Sequence, residues 1–97
     1  MGASKTNQYS NEIIDISALA NALGHPARIT IVKELKVNNS YRNVDFQSIL
    51  NLSQTAVHVH LNKLRKANIV KFIQFKNEYQ VELISENLED LTFFLKE

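Results

Sequence analysis

The residues best suited to chemistry crowd into one stretch, Leu52 to Val70, which reads LSQTAVHVHLNKLRKANIV. Ser53 is placed to accept from the amides of a first helical turn, and Val57, Leu61 and Leu64 recur at i, i+4 and i+7 as one apolar stripe. Off that stripe lie Gln54, Thr55, His58, Asn62, Lys63, Arg65 and Lys66, hydrogen-bonding groups toward the start and cations toward the end. Base edges take the first kind of group and phosphates the second. The pattern implies a helix that reads DNA. His58 and His60 stand two apart, so on a helix they point about 200° apart and cannot chelate one ion together. His58 falls on the polar side, as a donor to a guanine N7 or a phosphate or simply as an exposed histidine, and His60 falls at the core edge.

Positioning this helix falls to the elements around it. Asn11 to Leu23 carries Ile13, Ile14, Ile16, Leu19, Ala20 and Leu23, an apolar set wide enough to bury two sides, and Gly24 is the expected stop. His25 is expected to cap a second helix that Pro26 opens, or to lie at its exposed start, with Ile29, Ile31, Val32 and Leu35 buried. Arg28 could anchor a phosphate but is expected rather in a structural salt bridge. Val37 to Asn43 reads as a polar loop, where Tyr41 and Arg42 are open between a DNA contact and an interaction tip. Asp45 is expected to cap a short helix, Phe46 to Leu50, with Phe46, Ile49 and Leu50 inward. Helix, turn and capped second helix form a helix-turn-helix. Asn68 then closes the reading helix in a left-handed conformation. Ile69 to Phe75 and Tyr79 to Leu83 read as two strands joined at Lys76 and Asn77, with Tyr79, Val81 and Leu83 alternating against Gln80 and Glu82. Ser85 to Glu97 is a last helix with Leu88, Leu91, Phe94 and Leu95 at helical spacing. The expected fold is therefore mainly α with a small β-hairpin: a winged helix-turn-helix of about five helices and a two-stranded wing. Residues 1–10 are expected as a polar, flexible tail and 11–97 as one domain.

With 97 residues, 44% of them hydrophobic, the chain holds one core. A formal charge of +1 hides an uneven distribution. From Asn51 to Asn77 there are five cations and no acid, whereas from Glu78 to Glu97 six acids face only Lys96. One surface should attract phosphate and another repel it. Without cysteine there is no disulfide, thiolate metal site or cysteine nucleophile. No apolar run approaches the roughly 18 residues of a membrane span, so no membrane partner is expected. Met1, Gly2 and Thr6 fit the short N-myristoylation pattern, which matches many unrelated starts. Catalysis is not expected, since the sequence holds no Gly-rich phosphate loop, nucleophile elbow or metal-binding cluster. No cofactor is called for.

ALGHPARITIVKEL, followed by LNLSQTAVHVHLNKLRKANIV and a hairpin, resembles the arsenic-repressor (ArsR/SmtB-type) family of winged-helix regulators. The likeness covers about Ser17 to Leu83 and runs without a gap from Ser53 through Leu83. It implies a cytoplasmic, prokaryotic repressor of transcription that binds a palindromic operator in double-stranded DNA as a homodimer, until an inducer releases it. The first and last helices would pack across the two-fold axis through Ile13, Ile16, Leu88, Leu91, Phe94 and Leu95. The family's base-reading positions fall on Gln54, Thr55, His58 and Val59. Its phosphate contacts fall on Ser53, Lys63, Arg65, Lys71 and Lys76, with Lys66 a further cation in reach. Two departures concern the family's sensors. Asn43, Val44, Asp45, Phe46 and Gln47 stand where many relatives carry a cysteine pair. The last helix has no His, and its Glu86, Glu89, Asp90 and Glu97 read as a solvated acidic face rather than a hard-cation site. The competing class is a winged-helix module that binds a protein and not DNA, favoured by Phe93 and Phe94 in the acidic C-terminus and by the thin charge of the wing.

Overall fold

Asparagines, not glycines, punctuate this fold. In the computed structural model, which describes residues 8–96, α1 (Asn11–Ala22) and α2 (Pro26–Asn38) lead into β1 (Ser40–Arg42). Then come α3 (Asp45–Leu50), α4 (Gln54–Lys66), β2 (Val70–Phe75), β3 (Glu78–Leu83) and α5 (Ser85–Lys96). Asn39 (φ 67°), Asn51 (φ 54°) and Asn68 (φ 59°) take the left-handed conformation just after α2, α3 and α4. Asn is among the few residues with a side chain that tolerate it. Gly24 does not serve as expected. Its φ is not positive, and α1 ends on Leu23 in an ordinary conformation. The expected N-terminal tail, with Met1, Gly2 and Thr6, lies outside the described residues up to residue 7; Ser10, at its end, caps α1 by accepting from the Ile13 amide at 3.2 Å.

The starts of α2 and α4 match their residues. His25 Nδ1 accepts from the Ala27 amide at 3.0 Å with Pro26 in the first turn, and Ser53 Oγ accepts from the Ala56 amide at 3.2 Å. α3 departs from expectation. Val44 already has helical dihedrals, so Asp45 lies inside the first turn and caps nothing. Its carboxylate instead accepts from the Arg42 amide (3.0 Å) and the Arg42 guanidinium (3.2 Å).

The expected loop from Val37 to Asn43 is a further correction. α2 runs on to Asn38, and Ser40–Arg42 pairs antiparallel with β3, Tyr41 opposite Val81, giving a three-stranded sheet in the order β1-β3-β2. The hairpin is thus anchored on a third strand rather than standing free. In β2 and β3 the register pairs Val70 with Leu83, Phe72 with Val81 and Gln74 with Tyr79. Period-two alternation turns this set to the core side, and Lys71, Ile73 and Phe75 to the outer face.

Phe46, Ile31, Leu35, Leu61, Leu64, Ile69, Val70 and Val81 are fully buried. They come from α2, α3, α4 and the hairpin, so one core holds α4 from behind. Ile29 does not join them. It lies two residues from Ile31, on the far side of α2, and is 43% exposed. Ile49 and Leu50 pack at the core's margin. α5 has no fully buried residue; Leu88 and Leu91 rest on the core while the helix lies along α1.

Candidate nucleic-acid interface

Burial of Val57, Leu61 and Leu64 fixes the rotation of α4 about its axis, and so fixes what it shows to solvent. Gln54, Thr55, His58 and Val59 are all exposed, on its first turn and a half. Lys63 is exposed one turn further on. The sequence-expected readers are thus brought together on one end of the helix, and Ser53 precedes them with its hydroxyl engaged as the cap.

His58, Asn62 and Arg65, at i, i+4 and i+7, turn toward the hairpin. With Phe72, Gln74 and Tyr79 they line an open cleft of about 840 Å³. A chain of contacts crosses it. His58 Nδ1 lies 3.2 Å from the Tyr79 hydroxyl, with the rings edge-on. Tyr79 stacks on Phe72 with centroids 4.4 Å apart, and the Arg65 guanidinium lies 5.4 Å over the Phe72 ring. Arg65 also donates through Nε (3.1 Å) and Nη2 (2.6 Å) to Asn62 Oδ1. The cation is therefore oriented by an amide and a π face rather than by a carboxylate. Tyr79 is held from behind: buried Asn43 accepts from the Tyr79 amide at 3.1 Å and donates its own amide to the Tyr79 carbonyl at 2.9 Å. Burial pushes the Tyr79 phenol above its ordinary value, the Arg65 charge opposing, so it remains a protonated donor at neutral pH.

The hairpin tip carries one cation forward. Lys76 has φ 55° and Asn77 does not, as in a two-residue turn whose first position usually holds glycine. Gln74 Nε2 donates to the carbonyls of Lys76 (2.9 Å) and Glu78 (3.3 Å) and braces the tip, while the Lys76 ammonium lies 5.9 Å over Phe75. Lys71 is placed differently. It sits on the outer face of the sheet, 3.9 Å from Glu82, its cross-strand neighbour.

The two histidines of α4 diverge as the helical angle requires. His60 turns inward, where its Nδ1 accepts from Arg28 Nε at 3.3 Å and its ring lies 4.4 Å from that of His25. Arg28 Nη1 donates to the Ala22 carbonyl at 3.2 Å. The salt bridge expected of Arg28 is replaced by these two contacts, because the carbonyls ending α1 and the neutral His60 ring are the acceptors within reach. Burial, then the charges of His25 and Arg28, push His60 below its ordinary value. Tyr41 and Arg42 are engaged internally. The Tyr41 hydroxyl donates to Glu34 Oε1 (2.8 Å) and accepts from Asn38 Nδ2 (2.5 Å), and the bond to Glu34 raises its pKa. Arg42 pairs with Asp45 and with Glu78 at 3.5 Å.

On the opposite side, Glu12, Asp15 and Asp90 line a cleft between α1 and α5, and Lys66 faces into it rather than toward the hairpin. Carboxylates thus gather on this side, away from the exposed first turn of α4. Among the described residues no three His, Asp or Glu converge as a metal site. Of the expected dimer residues, Ile13 and Leu95 are exposed, while Ile16, Leu88, Leu91 and Phe94 are half-buried around the contact of α1 with α5.

Tyr79, Phe72 and Asn43 were not singled out from sequence. The signal lay in the hairpin register: a tip at Lys76 and Asn77 puts Gln74 opposite Tyr79 and turns Tyr79 to the side that faces α4.

The chain matches the family described as bacterial regulatory protein, arsR family, over residues 25–71, which hold α2, α3 and α4 complete. No curated protein matches the sequence. Solved structures share the fold. The transcriptional repressor PagR of Bacillus anthracis is 26% identical, with 86% of this chain and 94% of that one covered at a TM-score of 0.70. HlyU from Vibrio cholerae is 21% identical over 91% of this chain and 96% of its own, TM-score 0.75. An ArsR-like transcriptional regulator from a Rhodococcus species is 20% identical over 90% and 81%, TM-score 0.78. Over residues 25–71 the sequence thus matches the arsR family of bacterial regulatory proteins, and the chain as a whole has the winged helix-turn-helix fold of solved transcriptional regulators.

Proposed function

We propose that this chain is a homodimeric, cytoplasmic repressor of transcription that binds a palindromic operator. Gln54, Thr55, His58 and Val59 read base edges, and Ser53, Lys63, Arg65 and Lys76 hold phosphates. Lys71, tied to Glu82 on the outer face of the sheet, is the weakest of the phosphate set. The observation that carries this reading is the exposed, polar first turn of α4, capped by Ser53 and flanked by a hairpin on the same side. Gln pairs bidentately with adenine, Thr reaches a base edge or methyl, and Val59 offers apolar contact to a thymine methyl. The family and fold are those of regulators rather than enzymes. The PagR neighbour, a repressor by its description, favours that sign of control.

Selection of bound DNA from a random pool tests the reading. A two-fold motif with half-sites about 34 Å apart is expected. Affinity should fall with salt at a log-log slope of about −0.9 per phosphate contacted. The second reading, a module that binds a protein and not DNA, is favoured by Ile73 (43% exposed) and Phe75 (62% exposed) on the outer face of the hairpin. No enrichment of any DNA, with no salt-dependent shift, would decide for it.

A further inference from the structure

We propose that Tyr79, from the hairpin, sets the hydrogen-bonding sense of His58 on the reading helix, so that His58 presents an N–H donor and selects a base acceptor such as guanine N7 or O6. The inference rests on the DNA reading and goes beyond it, because Tyr79 lies outside the helix that touches bases.

The argument starts from the 3.2 Å separation of Tyr79 Oη and His58 Nδ1. A neutral imidazole has one donor and one acceptor nitrogen, and the bond made at one settles what the other offers. A phenol is a good donor, and an imidazole lone pair is a better acceptor than a phenolic oxygen. Tyr79 therefore donates to Nδ1, and the proton of His58 sits on Nε2. A free Nε2–H donates to guanine N7 or O6. It cannot accept from the cytosine or adenine amino group. The hydroxyl is held where this bond needs it: the Tyr79 ring stacks on Phe72 at 4.4 Å, and both backbone polar groups of Tyr79 are bonded to buried Asn43. His58 itself is exposed and has Tyr79 as its hydrogen-bond partner. Without that hydroxyl both tautomers become available, and a histidine that both donates and accepts discriminates poorly. Tyr79 is thus a positioning residue, acting on bases through His58.

Tyr79→Phe is the discriminating variant, since it keeps the ring, its stack on Phe72 and the backbone bonds and removes only the hydroxyl. Two readouts are needed. Ring ¹⁵N shifts of His58 in the free protein should report the Nε2–H tautomer in the native chain and a mixture in Tyr79→Phe. Selection from a random DNA pool should show one base pair per half-site with guanine preferred over cytosine by about 10-fold, the scale of one base contact. That preference should fall to about twofold in Tyr79→Phe and in His58→Ala, while the other positions of the motif persist. An unchanged tautomer or an unchanged preference in Tyr79→Phe overturns the inference and leaves the DNA reading standing. Absence of any enriched sequence for the native protein overturns both.

Discussion

Gln54 and Lys63 stand on the same exposed side of α4 but are assigned different work, and replacing each separates specificity from affinity. The Gln54 side chain is exposed at the start of α4, so its amide is open to a bidentate pair with adenine. Gln54→Ala should cost about 1–3 kcal/mol at one base pair per half-site and little elsewhere. Lys63→Ala should weaken binding to all sequences about equally and lower the salt slope by about one. Titrations of operator and mutated operators at several salt concentrations check both; equal, sequence-independent losses would remove Gln54 from the readers. Much at this scale was legible beforehand. The Ser53 cap and the buried stripe of Val57, Leu61 and Leu64 follow from spacing alone, and so does the divergence of His58 from His60. Their partners did not follow. Tyr79 and Arg28 are each far along the chain from the histidine they bond, and such contacts require the register of a sheet and the crossing of two helices.

Between elements, the junction of α1, α2 and α4 is held by Arg28, His60 and the end of α1, and its protonation has a defined sign. His60 Nδ1 accepts from Arg28, so the bond exists only while the ring is neutral, and His60 titrates below its ordinary value in the fold. The unfolded chain therefore binds the proton first. Stability from this site is complete above the ordinary histidine value of about 6.5 and is lost as pH falls from there toward the lowered folded value. The loss is modest, because His60 is only half-buried and solvent screens it. Urea midpoints should fall more steeply from pH 7.5 to 5 in the native chain than in His60→Gln, whose side chain does not titrate; parallel curves contradict the assignment. At the other junction, Asn43 joins α3 to the hairpin through two bonds to the Tyr79 backbone. Asn43→Ala strands the Tyr79 amide and should cost about 1–3 kcal/mol in the same unfolding experiment. Elements themselves were legible where periodicity was long, as in α1, α4, α5 and the hairpin. β1 was not, for three residues carry no period and the partner strand lies some forty positions downstream. The stop at Asn68 was legible, but those at Asn39 and Asn51 were not, because all that such a turn requires is a left-handed residue and Asn supplies it without the signal a glycine gives; α1 ends on Leu23 with no left-handed residue, so Gly24 was not needed there.

At the scale of the whole molecule, the shape is more extended than one core demands. The radius of gyration is 14.7 Å, against about 13 Å for a globule of this length. α1 and α5 rest on each other while Ile13 (44%), Phe93 (67%) and Leu95 (71%) remain exposed beside half-buried Phe94. Exposed apolar side chains on two adjacent helices suit a second copy of the same surface, and a stable two-fold contact needs only about 800 Å² from each side. Two-fold pairing also matters to the reading itself. In the proposed dimer one α4 would span one half-site, and joining two readers would multiply occupancy by roughly 10²–10⁴ without any new contact to a base. Leu95→Asp and Ile13→Asp, both at exposed positions, should therefore leave the circular dichroism spectrum of the chain unchanged while shifting it from dimer to monomer at micromolar concentration in analytical ultracentrifugation. Operator affinity should fall by about 100-fold or more, and the salt slope should drop to about half, because a monomer touches one half-site's phosphates. A dimer that survives both substitutions would put the two-fold contact elsewhere; a monomer that still binds the full operator tightly would show that one reading helix and one hairpin suffice, and that the exposed faces of α1 and α5 serve another partner.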